Sequence, residues 1–290
     1  NAVRALGDSK TPLYFLIFAC CINIILDLVF ILYFHLGVAG AGIATVLSQL
    51  LSGILCISFI IKKVPILWLK KADFQMSYEV ITSHLNVALP MAFQMSIIAI
   101  GSLMLQFALN GLGAASVAAY TASQKIESIA TMPLGSFGTA MATYAAQNYG
   151  AGKFSRIRKG VFQCILMSGS FSILSGAINV IAGSQLTSIF VGSQETEVLS
   201  LSHTYLVISG CFLLLLLHYY FIYRFTLQGL GKSFIPTVAG IMELIMRAVG
   251  ALVLTGAFGF AGACASNPLA WIGACVPLAF SYYRTMKKLK

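Results

Sequence analysis

Charge is what this sequence has least of. Its 290 residues hold eight acidic and eighteen basic side chains, 9% together, where an ordinary soluble domain carries about 25%. A chain so poor in charge cannot cover its surface in water, which excludes a soluble globular fold. Histidine is also scarce, and His35, His84, His203 and His218 share no ligand spacing. The seven cysteines (Cys20, Cys21, Cys56, Cys164, Cys211, Cys264, Cys275) fall inside apolar runs with no CxxC pair among them. Neither a metal centre nor a disulfide framework is indicated, and they read as small apolar side chains. Nucleotide loops are missing as well. Gly231-Lys232-Ser233 has the tail of a phosphate-binding loop, but Thr226 stands where its first glycine belongs. Gly40-Ala41-Gly42 lies within an apolar run, where small residues let helices approach. No covalent chemistry is implied, and the reading is not that of an enzyme.

What the chain has in abundance is apolar: 59% of residues are hydrophobic and the mean hydropathy is +0.90. The solvent for most of it is lipid. A spanning helix needs roughly 20 apolar residues, and eight segments qualify, near 13–34, 38–61, 88–109, 115–146, 160–183, 203–224, 236–256 and 260–283. The fold class is therefore all-α, a polytopic membrane protein with eight transmembrane helices. The lipid bilayer is its first partner.

The net charge of +10 invites a nucleic-acid reading only when cations share one exposed face, whereas here they cluster between apolar runs, so no nucleic acid is expected. Lys125 and Arg247 lie within spans. The remaining 16 of the 18 basic residues, with Arg224 and Lys232 among them, fall on connections that an eight-span topology puts on one side. The opposite connections, including Ser184–Ser200, lack Lys and Arg. By the positive-inside rule the basic face and both ends are cytoplasmic, in a cell membrane crossed many times.

Arg4-Ala-Leu-Gly-Asp-Ser-Lys-Thr-Pro12 recurs in altered form as Gln228-Gly-Leu-Gly-Lys-Ser-Phe-Ile-Pro236, and Gly37-Val-Ala-Gly-Ala-Gly42 recurs as Gly259-Phe-Ala-Gly-Ala-Cys264. Both copies enter from the same face, so the repeat is parallel, a feature of transporters that handle substrate between two halves. Spans seven and eight close a six-helix unit. Spans one and two then close an earlier unit whose first four helices are absent, and the start at Asn1 in mid-motif predicts a piece of a longer chain. The expected division is 1–63 as the last two helices of the first lobe, 64–87 as a cytoplasmic connector with amphipathic pieces at Val64–Leu69 and Tyr78–Leu85, and 88–290 as a complete second lobe.

Ionisable groups inside spans are costly and mark candidate sites. Asn23 and Asp27 lie one turn apart on one face, and Thr45 sits at similar depth on the next, descending span. Their oxygens suit Na+ or a carboxyl with hydrogen-bond partners; a structural bond between two helices is the other reading. Lys125 and Glu127 project about 200° apart and do not pair. Glu243 and Arg247, four apart, suit a local ion pair. Glu127 or Glu243 as a cation-attracting carboxylate and an ion network bracing the lobe remain equal readings. Gln94 and Gln124 bond across helices or line a cavity.

The quoted motifs, with Asn23-Ile-Ile-Leu-Asp27, Ala146-Gln-Asn-Tyr-Gly-Ala-Gly-Lys153 and Leu227-Gln-Gly-Leu-Gly-Lys232, together resemble the multidrug and toxic compound extrusion (MATE) transporters along the whole chain. The resemblance implies a monomer of twelve spans in two lobes and alternating access. It implies export of amphipathic organic cations or drugs, driven by Na+ or H+ and with no cofactor beyond that ion. Asn23, Asp27 and Thr45 match the family's cation site in the first lobe, which in relatives adds an acidic residue from a first helix that this sequence lacks. The alternatives are a lipid-linked oligosaccharide flippase of the same superfamily, for which Lys125 and Arg247 are few cations, and a non-transporting membrane scaffold.

Overall fold

The computed structural model describes residues 2–68, 77–192, 194–212 and 216–289, and every regular element among them is helical. The chain divides into two compact units, Asn1–Tyr78 and Glu79–Lys290.

The first unit is a helical hairpin. A short turn, α1 (Ala2–Ala5), ends at Gly7, whose φ of +96° favours glycine. Asp8 then caps α2 (Lys10–Leu28), its Oδ1 accepting the backbone N–H groups of Lys10 at 3.1 Å and Thr11 at 3.0 Å. The hydrogen bonds from Thr11 hold the Asp8 carboxyl below its usual range. Pro12 follows in the first turn, where its missing N–H does no harm. α2 widens into a π-helical turn at Val29–Tyr33, and the chain reverses through His35 and Gly37, both at positive φ, into α3 (Gly37–Lys63). The buried stripe Gly40, Ala44 and Ser48 on α3 repeats every four residues and faces the hairpin seam. Ser52 Oγ donates to Phe15 O at 3.5 Å, and the Phe15 and Phe59 rings meet edge to face at 5.9 Å. Pro65–Leu67 makes one 3-10 turn, and Leu69 of the expected amphipathic piece lies outside the described residues.

The second unit is built on long helices: α4 (Tyr78–Asn110), α5 (Ala114–Gly150) and α6 (Phe154–Val191). At 33, 37 and 38 residues they exceed the roughly 20 that a bilayer core needs. Tyr78–Leu85, the second amphipathic piece, is helical and continuous with the rest of α4. There follow α7 (Thr196–Phe212), α8 (His218–Gly229), α9 (Phe234–Val249), a π-helical turn at Gly250–Leu254, and α10 (Thr255–Lys288), which breaks at Gly259. Among the described residues, five stretches are long and apolar enough to cross a membrane on composition, Phe234–Lys288 counting once despite its break. The polar content of α5 keeps it out of that set.

The repeat is visible in the local backbone. Gly37 and Gly259, aligned by sequence, sit at φ +52° and +57°, and each follows a π-helical turn. The recurring glycine motifs are helix terminators. Lys153 N–H bonds Asn148 O at 2.8 Å and Gly152 N–H bonds Tyr149 O at 3.0 Å; Lys232 to Leu227 and Gly231 to Gln228 repeat the pattern at 2.9 and 3.0 Å. Gly152 and Gly231 take the left-handed conformation that such a cap requires.

The packing is that of a protein immersed in lipid. Large apolar side chains such as Phe107, Ile181 and Phe258 are exposed, while the interior holds Ser123, Ser172, Asn179, Thr187 and Ser202. Ser202 Oγ donates to Ala119 O at 3.1 Å and Ser123 Oγ to Ser202 O at 3.4 Å, which fastens α7 to α5. One apolar cluster centres on Leu134, Ile157, Leu227 and Leu278, a second on Leu105, Leu109, Tyr205 and Leu206.

Candidate functional site

Within the second unit, α4, α5, α8, α9 and α10 line an open cavity of about 300 Å³. Two larger hollows, of about 450 and 560 Å³, are lined by Arg158 and the end of α10 and contain no carboxyl. The smaller cavity holds two carboxyls and two guanidiniums: Glu127, Glu243, Arg224 and Arg247, all buried.

Glu243 and Arg247 form the local ion pair expected from their spacing, Nη2 to Oε1 at 2.8 Å. Neither charge depends on the other alone. Tyr220 donates its hydroxyl to Glu243 Oε2 at 3.1 Å, and Arg247 Nη1 reaches across to α4, to Ser102 Oγ at 3.3 Å and Ile98 O at 3.4 Å. The approach needs Gly101, because a Cβ there would lie 3.1 Å from Arg247 Cδ. Arg224 Nη1 donates to Tyr220 Oη at 2.5 Å, so Glu243 binds Arg247 directly and is linked to Arg224 through the tyrosine.

Glu127 belongs to a separate network. Tyr205 of α7 donates its hydroxyl to Glu127 Oε2, and Asn267 Nδ2 of α10 donates to the same tyrosine oxygen at 3.1 Å. Tyr120 packs edge to face on Tyr205 at 5.3 Å, and Gln124 Nε2 donates to Tyr120 Oη at 3.1 Å. Glu127 Oε1 and the Nε atoms of Arg224 and Arg247 are buried without a partner among the described residues.

The other expected residues are placed differently. Gln94 is buried and donates to Pro236 O at 2.7 Å, while Gln228 Nε2 donates to its Oε1 at 3.4 Å, so it ties α4 to α9 and α8. Gln124 is exposed on the cavity rim. Lys125 is exposed too, its Nζ 5.7 Å above the Phe190 ring, and it does not line the cavity. Arg224, counted by sequence among the cytoplasmic cations, is 6% exposed and lines the cavity. The correction has a simple cause: α8 continues to Gly229, which leaves Arg224 more than a turn inside the helix. Tyr205, Tyr220 and Asn267 were not singled out from the sequence. For Tyr220 the signal was present, since it precedes Arg224 by four residues on one helical face.

In the first unit, Asn23 and Asp27 share one face of α2, and Asn23 Nδ2 and Asp27 Oδ1 are buried with no partner among the described residues. The register set by Phe15 opposite Ser52 brings Asn23 level with Ala44, since the helices are antiparallel with equal rise. Thr45 is therefore at the expected depth. Its side chain turns away, however, exposed and donating to Ala41 O at 2.9 Å.

Residues 90–253 match the MatE family. The chain is 34% identical over 161 residues to the probable multidrug resistance protein YpnP of Bacillus subtilis, covering 54% of this chain and 35% of that one. It is 30% identical to the probable multidrug resistance protein YoeA of the same organism, covering 83% and 53%. In structure it resembles the Vibrio cholerae MATE transporter VcmN, with a TM-score of 0.89, 20% identity, and coverage of 99% of this chain and 64% of that one. The chain thus spans about a third to a half of the length of these curated relatives. A helical polytopic fold, an internal repeat and a family match over more than half of its residues place the chain in the MatE family of membrane transporters.

Proposed function

We propose that the protein acts in secondary active efflux, exporting amphipathic organic cations in exchange for Na+ or H+ by alternating access. The observation that carries this reading is the pair Asn23 and Asp27, half-buried on one face of a span, with Asn23 Nδ2 and Asp27 Oδ1 screened from solvent and without a partner among the described residues. An ionisable group in such a place is costly, and a coupling ion or proton offsets the cost. Asp27 is the coupling carboxyl and Asn23 its neighbour. Thr45 completes the site only by changing rotamer from its bond to Ala41. Glu127, which lines the cavity and whose Oε1 has no partner among the described residues, is the partner for a substrate cation. In this scheme residues 1–63 are the end of one lobe, 64–87 the connector and 88–290 the second lobe. The protein works as a monomer in the cell membrane with both ends cytoplasmic, and ion binding at α2 biases one conformation and ejects substrate. The flippase alternative gains one cation in Arg224, but Glu127 and Glu243 share that cavity and oppose a pyrophosphate.

The test is ethidium efflux from reconstituted vesicles under an imposed Na+ or pH gradient. Efflux that follows one gradient and stops when it is collapsed supports the proposal. Efflux indifferent to both gradients contradicts it.

A further inference from the structure

Two open hollows of the second unit meet at Arg158, which lines both, and neither shares a lining residue with the cavity of Glu127 and Glu243. Lys287 lines the first, of about 450 Å³, while Lys153 and Arg156 line the second, of about 560 Å³. All four cations are exposed, and none has a carboxylate within 4.0 Å among the described residues. Arg158 is fixed in place, because its Nη2 donates to Met286 O and Leu289 O at the end of α10, both at 2.7 Å. Its Nε and Nη1 make no hydrogen bond among the described residues, so one nitrogen anchors the guanidinium and two are left for a ligand.

The first hollow changes character along α6. Val161, Phe162 and Ile165 follow Arg158 by three, four and seven residues, so they carry its face of the helix about 10 Å beyond the charge. On α10, Tyr283 and Tyr282 lie four and five residues inward from Lys287 in the same hollow. The Tyr282 ring stacks on that of Tyr223 from α8 at 4.9 Å. Phe162 and Tyr283 are each 63% exposed. Cations at the helix ends, then phenols, then an apolar wall follow the order of a bilayer from headgroup to chain.

We infer that this groove holds an anionic phospholipid of the leaflet at the α10 end, its phosphate between Arg158 and Lys287 and one acyl chain along Phe162 and Ile165. A soluble phosphate uses the cations but not the apolar wall. A lipid of no net charge uses the wall but leaves the excess positive charge unbalanced. The bound lipid fastens α6 to α10 where Arg158 already bridges them.

The test is native mass spectrometry of the protein purified in detergent and titrated with dioleoyl phosphatidylglycerol or dioleoyl phosphatidylcholine, which share their chains and differ in net charge. One cation beside the headgroup contributes about fivefold in affinity, so the first phosphatidylglycerol is expected to bind about tenfold or more tighter than the first phosphatidylcholine. Lys287→Gln should cut that preference about fivefold, and since Lys287 makes no hydrogen bond among the described residues its replacement leaves the packing intact. Arg158→Gln combined with Lys287→Gln should abolish the preference. Arg284→Gln with Lys288→Gln removes as much charge from exposed positions at the same helix end but outside both hollows, and should leave the preference within about twofold of wild type. Wild-type affinities for the two lipids within about twofold of each other overturn the inference whatever the variants do. An equal loss in the Arg284 and Lys288 variant also overturns it, since diffuse charge rather than a site would then attract the lipid. Displacement of phosphatidylglycerol by sn-glycerol 1-phosphate at equal concentration would make this a site for a soluble phosphate and overturn the lipid assignment.

Discussion

Tyr205 on α7 donates its hydroxyl to Glu127 on α5, and Asn267 on α10 donates to that same hydroxyl oxygen. One phenol therefore joins three helices at the wall of the cavity. Tyr205→Phe removes the donor for Glu127 and the acceptor for Asn267 at once. A loss of about 2 to 3 kcal/mol is expected, the size of a buried bond to a charged group plus the orphaned partner. Thermal unfolding of the purified variant in detergent checks this, and an unchanged midpoint would mean that water replaces the phenol.

The pair of Glu243 and Arg247 makes a sharper prediction, because its two halves are unequal in consequence. Glu243→Gln leaves two guanidiniums facing a neutral amide, and about 3 kcal/mol should be lost. The double change Glu243→Gln with Arg247→Met should recover much of that loss, since it removes the stranded charge. A double-mutant cycle on thermal stability measures the difference.

Gly229 belongs to the terminator of α8, and its lack of a side chain lets that helix rest on α5. A Cβ at this position would lie 2.3 Å from Ala142 O, a backbone atom that cannot turn aside. Gly229→Ala should cost about 1 to 3 kcal/mol through forced separation, and the measured change should exceed that of Gly42→Ala, where a Cβ meets open space.

Asp8 sets a pH response at the start of α2. Its carboxyl is held below its usual range, so its capping contributes fully at neutral pH and is lost as pH falls through the folded-state value. Amide exchange at Lys10 and Thr11, whose N–H groups it accepts, should stay slow at neutral pH and quicken at acid pH relative to the helix interior. Asp8→Ala should show the fast limit at every pH.

Much of this architecture is legible in the amino-acid order because lipid imposes it. Apolar runs give the spans, and paired glycines give the repeat that Gly37 and Gly259 later display in their backbone angles. The spacing of four residues reveals Glu243 with Arg247. What stays hidden depends on rotation and on distant partners. Thr45 is at the correct level, but Ala44 is the neighbour that faces the seam, and one residue turns a helix by about 100°. Arg224 reads as loop charge until the Gly231 cap is recognised as the true end of its helix, beyond Gly229. Tyr205 and Asn267, 62 residues apart, carry no local sign that they meet.

The central claim, that Asp27 couples ion entry to export, is tested most directly by 22Na+ and proton uptake into vesicles containing the protein or its Asp27→Asn variant, measured while ethidium is expelled. The account predicts that one of the two ions enters in proportion to ethidium lost, and that Asp27→Asn abolishes both fluxes while the protein remains folded. Undiminished, ion-linked ethidium export by Asp27→Asn would contradict it.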